Sequence, residues 1–258
     1  MIVLQDRVYA QPKGIPLHFD FVRPPGEETC PLVVACHGGG WISGCKEDMR
    51  DVARLLAHAG YAVASPQYRL APLHPYPAAI EDVQAFVRYV RSHAVELGVH
   101  PERVASLGIS AGGHLAAMLG VTNPPAPEGE PRELRSQVNA VVAICPITDI
   151  AHPRELQNEI SVGFVEQFMG GPFLGNEQRY REASPLHHVT PDDPPFLIVH
   201  GEADEIVPVV QSDELASKLE HNGVSVKYIR LPGEGHGFSL PAFELIMQES
   251  LAFLKENL

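Results

Sequence analysis

Short apolar runs recur along the chain and alternate with longer segments of helical period. Two of the later runs are apolar throughout residues 140–145 and 196–199, which is typical of strands covered on both faces of a sheet. The runs that we predict as strands are residues 17–22, 32–36, 61–66, 104–108, 140–145, 196–200 and 226–231.

The segments between these runs place apolar residues on one helical face. Residues 46–60 carry such a stripe and end at Gly60, while residues 77–98 begin at Pro77 and end at Gly98. Strand alternating with helix predicts an α/β fold, with a mostly parallel twisted sheet of about eight strands flanked by helices. Further helices are predicted at residues 111–121, 209–222 and 241–256.

The alternation stops between residues 148 and 195, where no convincing strand occurs and apolar residues cluster from 164 to 174. A structureless loop of that length is uncommon, so we predict a small helical insertion over the site. A chain of 258 residues fits one domain. We therefore expect a single α/β domain over residues 1–258, with a cap-like insertion at about 148–195.

The charge balance narrows the choice of partners. The chain has 19 basic and 32 acidic residues, a formal net charge of −13. Such a charge disfavours the phosphate backbone of nucleic acids. No run approaches the roughly 20 apolar residues that cross a bilayer, and the first residues do not resemble a signal peptide. We expect a cytoplasmic protein with neither nucleic acid nor membrane as partner; whether a signal peptide preceded residue 1 stays open.

The sequence "GISAG" at residues 108–112 matches the G-x-S-x-G pattern of a nucleophile elbow. It lies between a predicted strand and a predicted helix, which is the context that the pattern requires. The sharp turn leaves no room for side chains beside the serine, and Gly108 and Gly112 relieve that crowding. We predict that the Ser110 hydroxyl projects above the sheet as a nucleophile.

A glycine-rich loop, "HGGGWISG" at residues 37–44, directly follows the strand at 32–36. Glycines let backbone N–H groups approach a reacting carbonyl closely, and acyl transfer needs such groups to stabilise an oxyanion. We predict that the N–H groups of Gly39, Gly40 and Ala111 form this oxyanion hole.

A serine nucleophile needs a base, and the base needs an acid. His236 lies in a glycine-rich loop after the last predicted strand. We expect this loop to open at the same sheet edge as the elbow. His200 ends a strand and could instead be a packed core histidine. Among the acids after residue 200 we choose Asp204, with Glu202 in reserve. The order Ser110, Asp204, His236 is that of α/β-hydrolases.

The chain resembles α/β-hydrolase carboxylesterases, near the hormone-sensitive-lipase-like esterases and the acetyl-xylan/feruloyl-esterase-like group. The resemblance implies hydrolysis of carboxylic esters without a cofactor. The short leader before His37 has no room for an N-terminal helical cap, which favours the second group. The segments that carry the resemblance are "HGGGW", "YRLAP", "PAAIEDV", "GISAGG", "HGEADEIVP" and "GEGHGF".

Several points stay open at this level. The expected substrate is a small-molecule ester with a short or small acyl group, but Trp41 after the glycines is also similar to kynurenine formamidases. An amidase, formamidase or peptidase on the same triad is therefore an alternative, and a non-catalytic binding relative is another. Esterases of this size often pair, so a homodimer is a further hypothesis. No metal site is expected, because no spaced His/Cys/carboxylate set occurs.

The apolar cluster of the insertion has two possible interpretations. Its side chains either pack the insertion onto the body or form a wall of the acyl or alcohol pocket. The residues that we name as substrate-binding candidates are Trp41, Phe164, Phe168, Met169 and Phe173.

Overall fold

A computed structural model of the chain describes residues 1–26, 29–128, 133–151 and 159–258. Within these residues eight strands form one sheet, in the order β1-β2-β4-β3-β5-β6-β7-β8. The strands are β1 (Ile2–Ala10), β2 (Leu17–Arg23), β3 (Cys30–Cys36), β4 (Ala62–Pro66), β5 (Val99–Ile109), β6 (Ala140–Ile144), β7 (Phe196–Gly201) and β8 (Val226–Leu231).

The sheet is parallel from β4 through to β8 and antiparallel at one end. β1 pairs with β2, and β2 with β4, in antiparallel register, and every other neighbouring pair is parallel. The carboxyl ends of β3, β5, β6, β7 and β8 therefore meet at one edge, where ligands of such sheets bind. This confirms the predicted mostly parallel sheet. The periodicity analysis did not predict β1, an edge strand whose outer residues are largely exposed.

Helices cover both faces of the sheet, and each face has its own apolar core. The helices at Ala78–Ser92 and Ala111–Val121 pack on one core, and those at Arg50–His58 and Leu240–Asn257 pack on the other. The predicted helix at 77–98 is divided in two, because His93 interrupts it between α2 and α3. The helices are α1 (Arg50–His58), α2 (Ala78–Ser92), α3 (Ala94–Leu97), α4 (Ala111–Val121), α5 (Glu159–Met169), α6 (Glu177–Glu182), α7 (Val210–His221) and α8 (Leu240–Asn257).

Between β6 and β7 the described residues form helices and no strand, as predicted. α5, α6 and a 3₁₀ turn at Pro185–His188 fill this segment, and residues 152–158 of the predicted insertion lie outside the described residues. α5 places its side chains over the edge where the parallel strands end. None of the helices in the described part of the chain has the length and apolar character needed to span a membrane.

Candidate active site

Ser110 stands at the sharp turn between β5 and α4 in a strained backbone conformation, with φ 58° and ψ −121°. Its N–H bonds to the carbonyl of Ile144 on β6 at 2.9 Å, which ties the turn to the neighbouring strand. A Cβ on Gly108 would collide with the backbone of Gly112, and a Cβ on Gly112 would collide with that of Cys36. Both glycines are thus required by the close approach of three backbone segments, as the elbow prediction expects.

The loop after β3 brings two further glycines beside this serine. Gly39 and Gly40 have positive φ angles of 107° and 60°. Within the described residues, neither of their N–H groups nor that of Ala111, the first residue of α4, donates a hydrogen bond to the protein. Three donors are therefore free beside Ser110, all at the edge where β3 and β5 end.

His37 and Tyr68 hold this glycine loop from behind. The buried His37 Nδ1–H donates to the Gly38 carbonyl at 2.7 Å, and the Tyr68 hydroxyl donates to the His37 carbonyl at 2.9 Å. The two rings stack at 4.2 Å between centroids. Burial lowers the pKa of His37, so it stays neutral near pH 7. The glycines are flexible residues, but their position is fixed by these contacts.

The structure brings Ser110, His236 and Asp204 into one hydrogen-bonded chain. The His236 Nε2 lies 3.0 Å from Ser110 Oγ, and His236 Nδ1 lies 2.8 Å from Asp204 Oδ2. The loops after β7 and β8 are joined by a hydrogen bond from the Ala203 N–H to the Glu234 carbonyl at 2.9 Å. This bond holds the loop of Asp204 next to the loop of His236. A serine hydroxyl, an imidazole and a carboxylate in this order can transfer a proton away from the serine.

Asp204 is a buried carboxylate with all of its hydrogen-bonding capacity in use. Its Oδ1 accepts the N–H groups of Ile206 and Val207, both at 2.8 Å. Burial alone would raise the pKa of Asp204, but the hydrogen bonds from His200, His236 and Val207 outweigh it and hold the pKa well below its usual range. The reserve candidate, Glu202, instead forms a salt bridge with Arg230 at 3.0 Å.

A cavity of about 380 Å³ opens directly above Ser110 and His236. Its lining is mostly apolar and, in the described part of the chain, includes no Asp, Glu, Lys or Arg. The oxyanion loop and the strand ends form its base, and α5 forms one wall through Ser161, Phe164 and Val165. Such a cavity suits an uncharged ligand with an apolar part.

Comparison with known proteins identifies the family. Residues 19–219 match the sequence profile of the BD-FAE family. The chain belongs to the BD-FAE family. It is 34% identical over 219 residues to Esterase LipC of Mycobacterium tuberculosis, which covers 83% of this chain and 54% of LipC. It is 31% identical over 231 residues to the probable carboxylic ester hydrolase LipM of the same organism, covering 86% of this chain and 53% of LipM.

This BD-FAE chain spans about half the length of those two curated relatives, whereas solved structures match it over nearly their whole length. A truncated carbohydrate esterase from gut microbiota superposes with a TM-score of 0.87 at 26% identity, covering 100% of this chain and 96% of that one. Esterase 2 of Thermogutta terrifontis, phosphonylated by sarin, gives 0.86 at 27% identity, with 97% and 94% covered. The comparisons confirm the α/β-hydrolase fold and the resemblance to carboxylesterases.

The five substrate-binding candidates of this BD-FAE protein divide into two groups. Trp41 and Phe164 line the cavity, whereas Phe168, Met169 and Phe173 lie outside its lining, so the pocket-wall alternative fits Phe164 and not these three residues. Phe168 and Met169 are buried in the core behind the oxyanion loop. Phe173 lies beyond the end of α5, with its ring 5.3 Å from that of Tyr180.

Trp41 connects the oxyanion loop to the rest of the molecule through a histidine that the sequence analysis passed over. The Trp41 indole N–H donates to His114 Nδ1 at 3.1 Å, and His114 Nε2–H donates to the Ala183 carbonyl at 2.7 Å. Phe168 stacks on the indole at 4.3 Å. Burial lowers the pKa of His114 to about 4, so it remains a neutral link between α4 and the segment before β7.

One group in the described part of the chain has the composition of a metal site, and it includes the triad. Ligand atoms of Cys145, Asp204 and His236 lie within 4.8 Å of one another. Asp204 and His236 already bond each other, and burial raises the pKa of the Cys145 thiol far above its usual range. A metal would need that thiol ionised and the Asp204–His236 bond broken, so the donor set fits the hydrogen-bonded arrangement better.

Proposed function

We propose that this protein is a serine carboxylesterase that hydrolyses short-chain or small acyl esters through an acyl-enzyme intermediate. The observation that carries the proposal is the hydrogen-bonded chain from Ser110 through His236 to Asp204, which opens into a cavity beside the N–H groups of Gly39, Gly40 and Ala111; within the described residues these donate to no other group. Serine, base, acid and oxyanion donors then occur together at one sheet edge, as acyl transfer requires.

In the first half-reaction, His236 Nε2 accepts the proton of Ser110 as Oγ attacks the ester carbonyl. The negative charge that develops on the carbonyl oxygen is bound by the N–H groups of Gly39, Gly40 and Ala111. Asp204 stabilises the imidazolium that forms and fixes its orientation. His236 then gives its proton to the leaving alcohol oxygen, and the acyl group remains on Ser110.

In the second half-reaction, water enters where the alcohol left. His236 takes a proton from this water as its oxygen attacks the acyl carbonyl, and the same three N–H groups bind the second oxyanion. When the intermediate collapses, the proton passes from His236 to Ser110 Oγ, and a carboxylic acid is released. The enzyme returns to its starting state without a cofactor.

The nature of the cavity supports a small uncharged substrate. Its lining in the described residues holds no charged side chain, so an ionised acyl group would lose its hydration without gaining a partner. The protein's net charge of −13 adds long-range repulsion of anions. The names of its relatives, an esterase and a carbohydrate esterase among them, agree with an ester substrate.

The direct test is covalent labelling with a serine-directed phosphonate, followed by mass spectrometry of the peptide that contains Ser110. We expect one label per chain on Ser110 and the loss of ester hydrolysis in step with labelling. Nitrophenyl esters graded by acyl length, aryl formamides and dipeptide amides then distinguish an esterase from an amidase on the same triad. A protein that neither labels nor cleaves any of these would be a non-catalytic relative, against the proposal.

We also propose a domain organisation, a location and an assembly state for this protein. Residues 1–258 would form a single domain with a cap-like insertion at about 148–195, because the cavity wall on α5 belongs to that segment. A cytoplasmic location would suit the four cysteines, which form no disulfide. A homodimer is a further hypothesis, and light scattering at several protein concentrations tests it. Neither nucleic acid nor membrane is expected as a partner.

A further inference from the structure

A second histidine, His200, contacts Asp204 beside His236. The His200 Nε2 lies 3.3 Å from Asp204 Oδ2, the same oxygen that accepts the bond from His236 Nδ1. His200 is wholly buried at the end of β7, and the Asp204 side chain is also wholly buried. One carboxylate oxygen is therefore contacted by two imidazoles, of which His200 is wholly buried and His236 faces the cavity.

The tautomer of His200 follows from its other contacts. The Val207 carbonyl lies 2.9 Å from Nε2 and can only accept, so Nε2 carries the proton. The Ser212 hydroxyl lies 2.7 Å from Nδ1 and bonds to it. The Nε2–H of His200 thus bonds to the Val207 carbonyl and also lies beside Asp204 Oδ2, at 3.3 Å between Nε2 and Oδ2. Ser212, in the first turns of α7, holds the ring in this orientation.

We propose that His200 is a positioning residue that shares Asp204 Oδ2 with His236 and thereby sets how strongly His236 binds its catalytic proton. The inference rests on the proposed esterase function. An N–H beside a carboxylate oxygen stabilises its negative charge. Asp204 with the His200 N–H beside it is therefore a weaker partner for the His236 imidazolium than Asp204 without it.

The surroundings of Asp204 contain few groups that could have the same effect. Among the described residues, the titratable side chains that face it are His236 from the loop after β8, His200 from β7 and Cys145 from the end of β6. The pKa of the Cys145 thiol is raised by burial and by the Asp204 charge, so it carries no charge near pH 7. His200 is then the group that can be changed without removing a triad member.

Two amide substitutions separate the contact of His200 with Ser212 from its contact with Asp204. His200→Asn puts an amide oxygen near the Nδ1 position, where it still accepts from Ser212, but its side chain is too short to reach Asp204. His200→Gln is one carbon longer and places an N–H near the Nε2 position. The two variants have the same chemistry and differ in reach, so they form a matched pair.

The measurement is the pH profile of kcat/KM on an uncharged ester, normalised to active sites counted by phosphonate titration. The acid limb of this profile reports the protonation of His236 in the free enzyme. We expect the limb of His200→Asn to move to higher pH by about half a unit or more, and that of His200→Gln to return toward the wild-type position. The far-downfield proton resonance of His236 Nδ1–H should shift in the same variants.

Ser250→Ala is the control for a general loss of packing. Ser250 is a buried hydroxyl on α8 that bonds to the Ile246 carbonyl at 2.7 Å, away from the cavity lining. This variant should lose stability, but the acid limb of its kcat/KM profile should stay at the wild-type pH. If His200 only fills space, His200→Asn lowers the active fraction with an unmoved limb, which overturns the inference. A limb that moves to lower pH would mean that Asp204 has left His236, and it also overturns it.

The failure of this inference can be told apart from failure of the proposed function. If wild-type protein does not label at Ser110 and hydrolyses no ester, the esterase proposal fails before any variant is made. If wild-type protein is active and the limbs of wild type, His200→Asn and His200→Gln coincide, the esterase proposal stands and the role of His200 fails.

Discussion

The two sides of the cavity are built by different forces. The catalytic floor, which we define as Gly39, Gly40, Ser110, Asp204 and His236, lies on loops at the strand ends and is held by backbone packing and short hydrogen bonds. The helical wall, which we define as Ser161, Phe164 and Val165 of α5, faces the floor mainly with apolar side chains. Hydrogen bonds depend steeply on direction, whereas apolar contacts depend mainly on area.

This difference assigns separate tasks to the two sides. A displacement of the floor by a fraction of an ångström misplaces the atoms that react, so changes there should reduce the rate for every substrate. A change in the wall alters the space for the acyl or alcohol group and should alter the choice among substrates. The two sides meet at Gly40, whose Cβ, if present, would lie 2.9 Å from the Phe164 ring. The following variants test this division.

Ser110→Ala should have the largest effect. Without the nucleophile, the remaining floor can only bind and polarise the ester, so kcat should fall by about 10⁴–10⁶. Circular dichroism and the thermal midpoint should stay close to wild type, because alanine fits wherever serine fits. Mass spectrometry should first confirm that the purified variant carries alanine at position 110. Activity near the wild-type level in that protein would remove Ser110 from the mechanism.

Phe168→Ala should come next, as a loss of stability. Phe168 is 1% exposed and stacks on Trp41, so its removal leaves a cavity that costs about 3–5 kcal/mol of unfolding free energy. In denaturant melts, the free energy of unfolding should fall more for Phe168→Ala than for Phe168→Leu, because alanine loses more side-chain volume. Because Phe168 is outside the cavity lining, the ratio of rates on short and longer acyl esters should remain that of wild type. A changed ratio would make Phe168 part of the wall.

The floor could be predicted from sequence because its geometry demands particular residues. The elbow needs glycine at 108 and 112, where any Cβ would collide with backbone, and the donors need positive φ at Gly39 and Gly40. Such requirements leave a pattern in the sequence. His200 and His114 left no such pattern, since a buried histidine at a strand end or in a helix has the same local sequence whether or not it contacts the site.

The wall could be predicted only in part, for a physical reason. The apolar cluster correctly indicated a helix, and the structure forms α5 there. Residues 161, 164 and 165 share one face of that helix and reach the cavity, while Phe168, one turn further, meets Trp41 instead. Where a helix crosses its neighbours depends on tertiary packing, and periodicity alone does not contain that position.

Gly40→Ala tests the point where floor and wall meet. The substitution places a side chain at φ 60° and against the Phe164 ring, so kcat/KM should fall by about 10- to 100-fold. In a Phe164→Ala background the loss should be several-fold smaller, because the ring is gone and only the backbone strain remains. Gly14→Ala is the control, since Gly14 also has a positive φ but no neighbour within 4 Å of its Cβ position. Equal losses in both backgrounds would mean that floor and wall do not interact.

Phe164→Ala should have the smallest effect on rate and the clearest effect on choice. The ring lines the cavity and is partly exposed, so its removal enlarges the space above Ser110 at little cost in stability. The rate on an acetyl ester should stay within about threefold of wild type, while preference should shift about three- to tenfold toward longer acyl groups. Phe173→Ala deletes the same ring outside the cavity and should leave preference unchanged. If both variants shift preference alike, or neither does, α5 is not a selecting wall, and selectivity must come from the floor that also performs the chemistry.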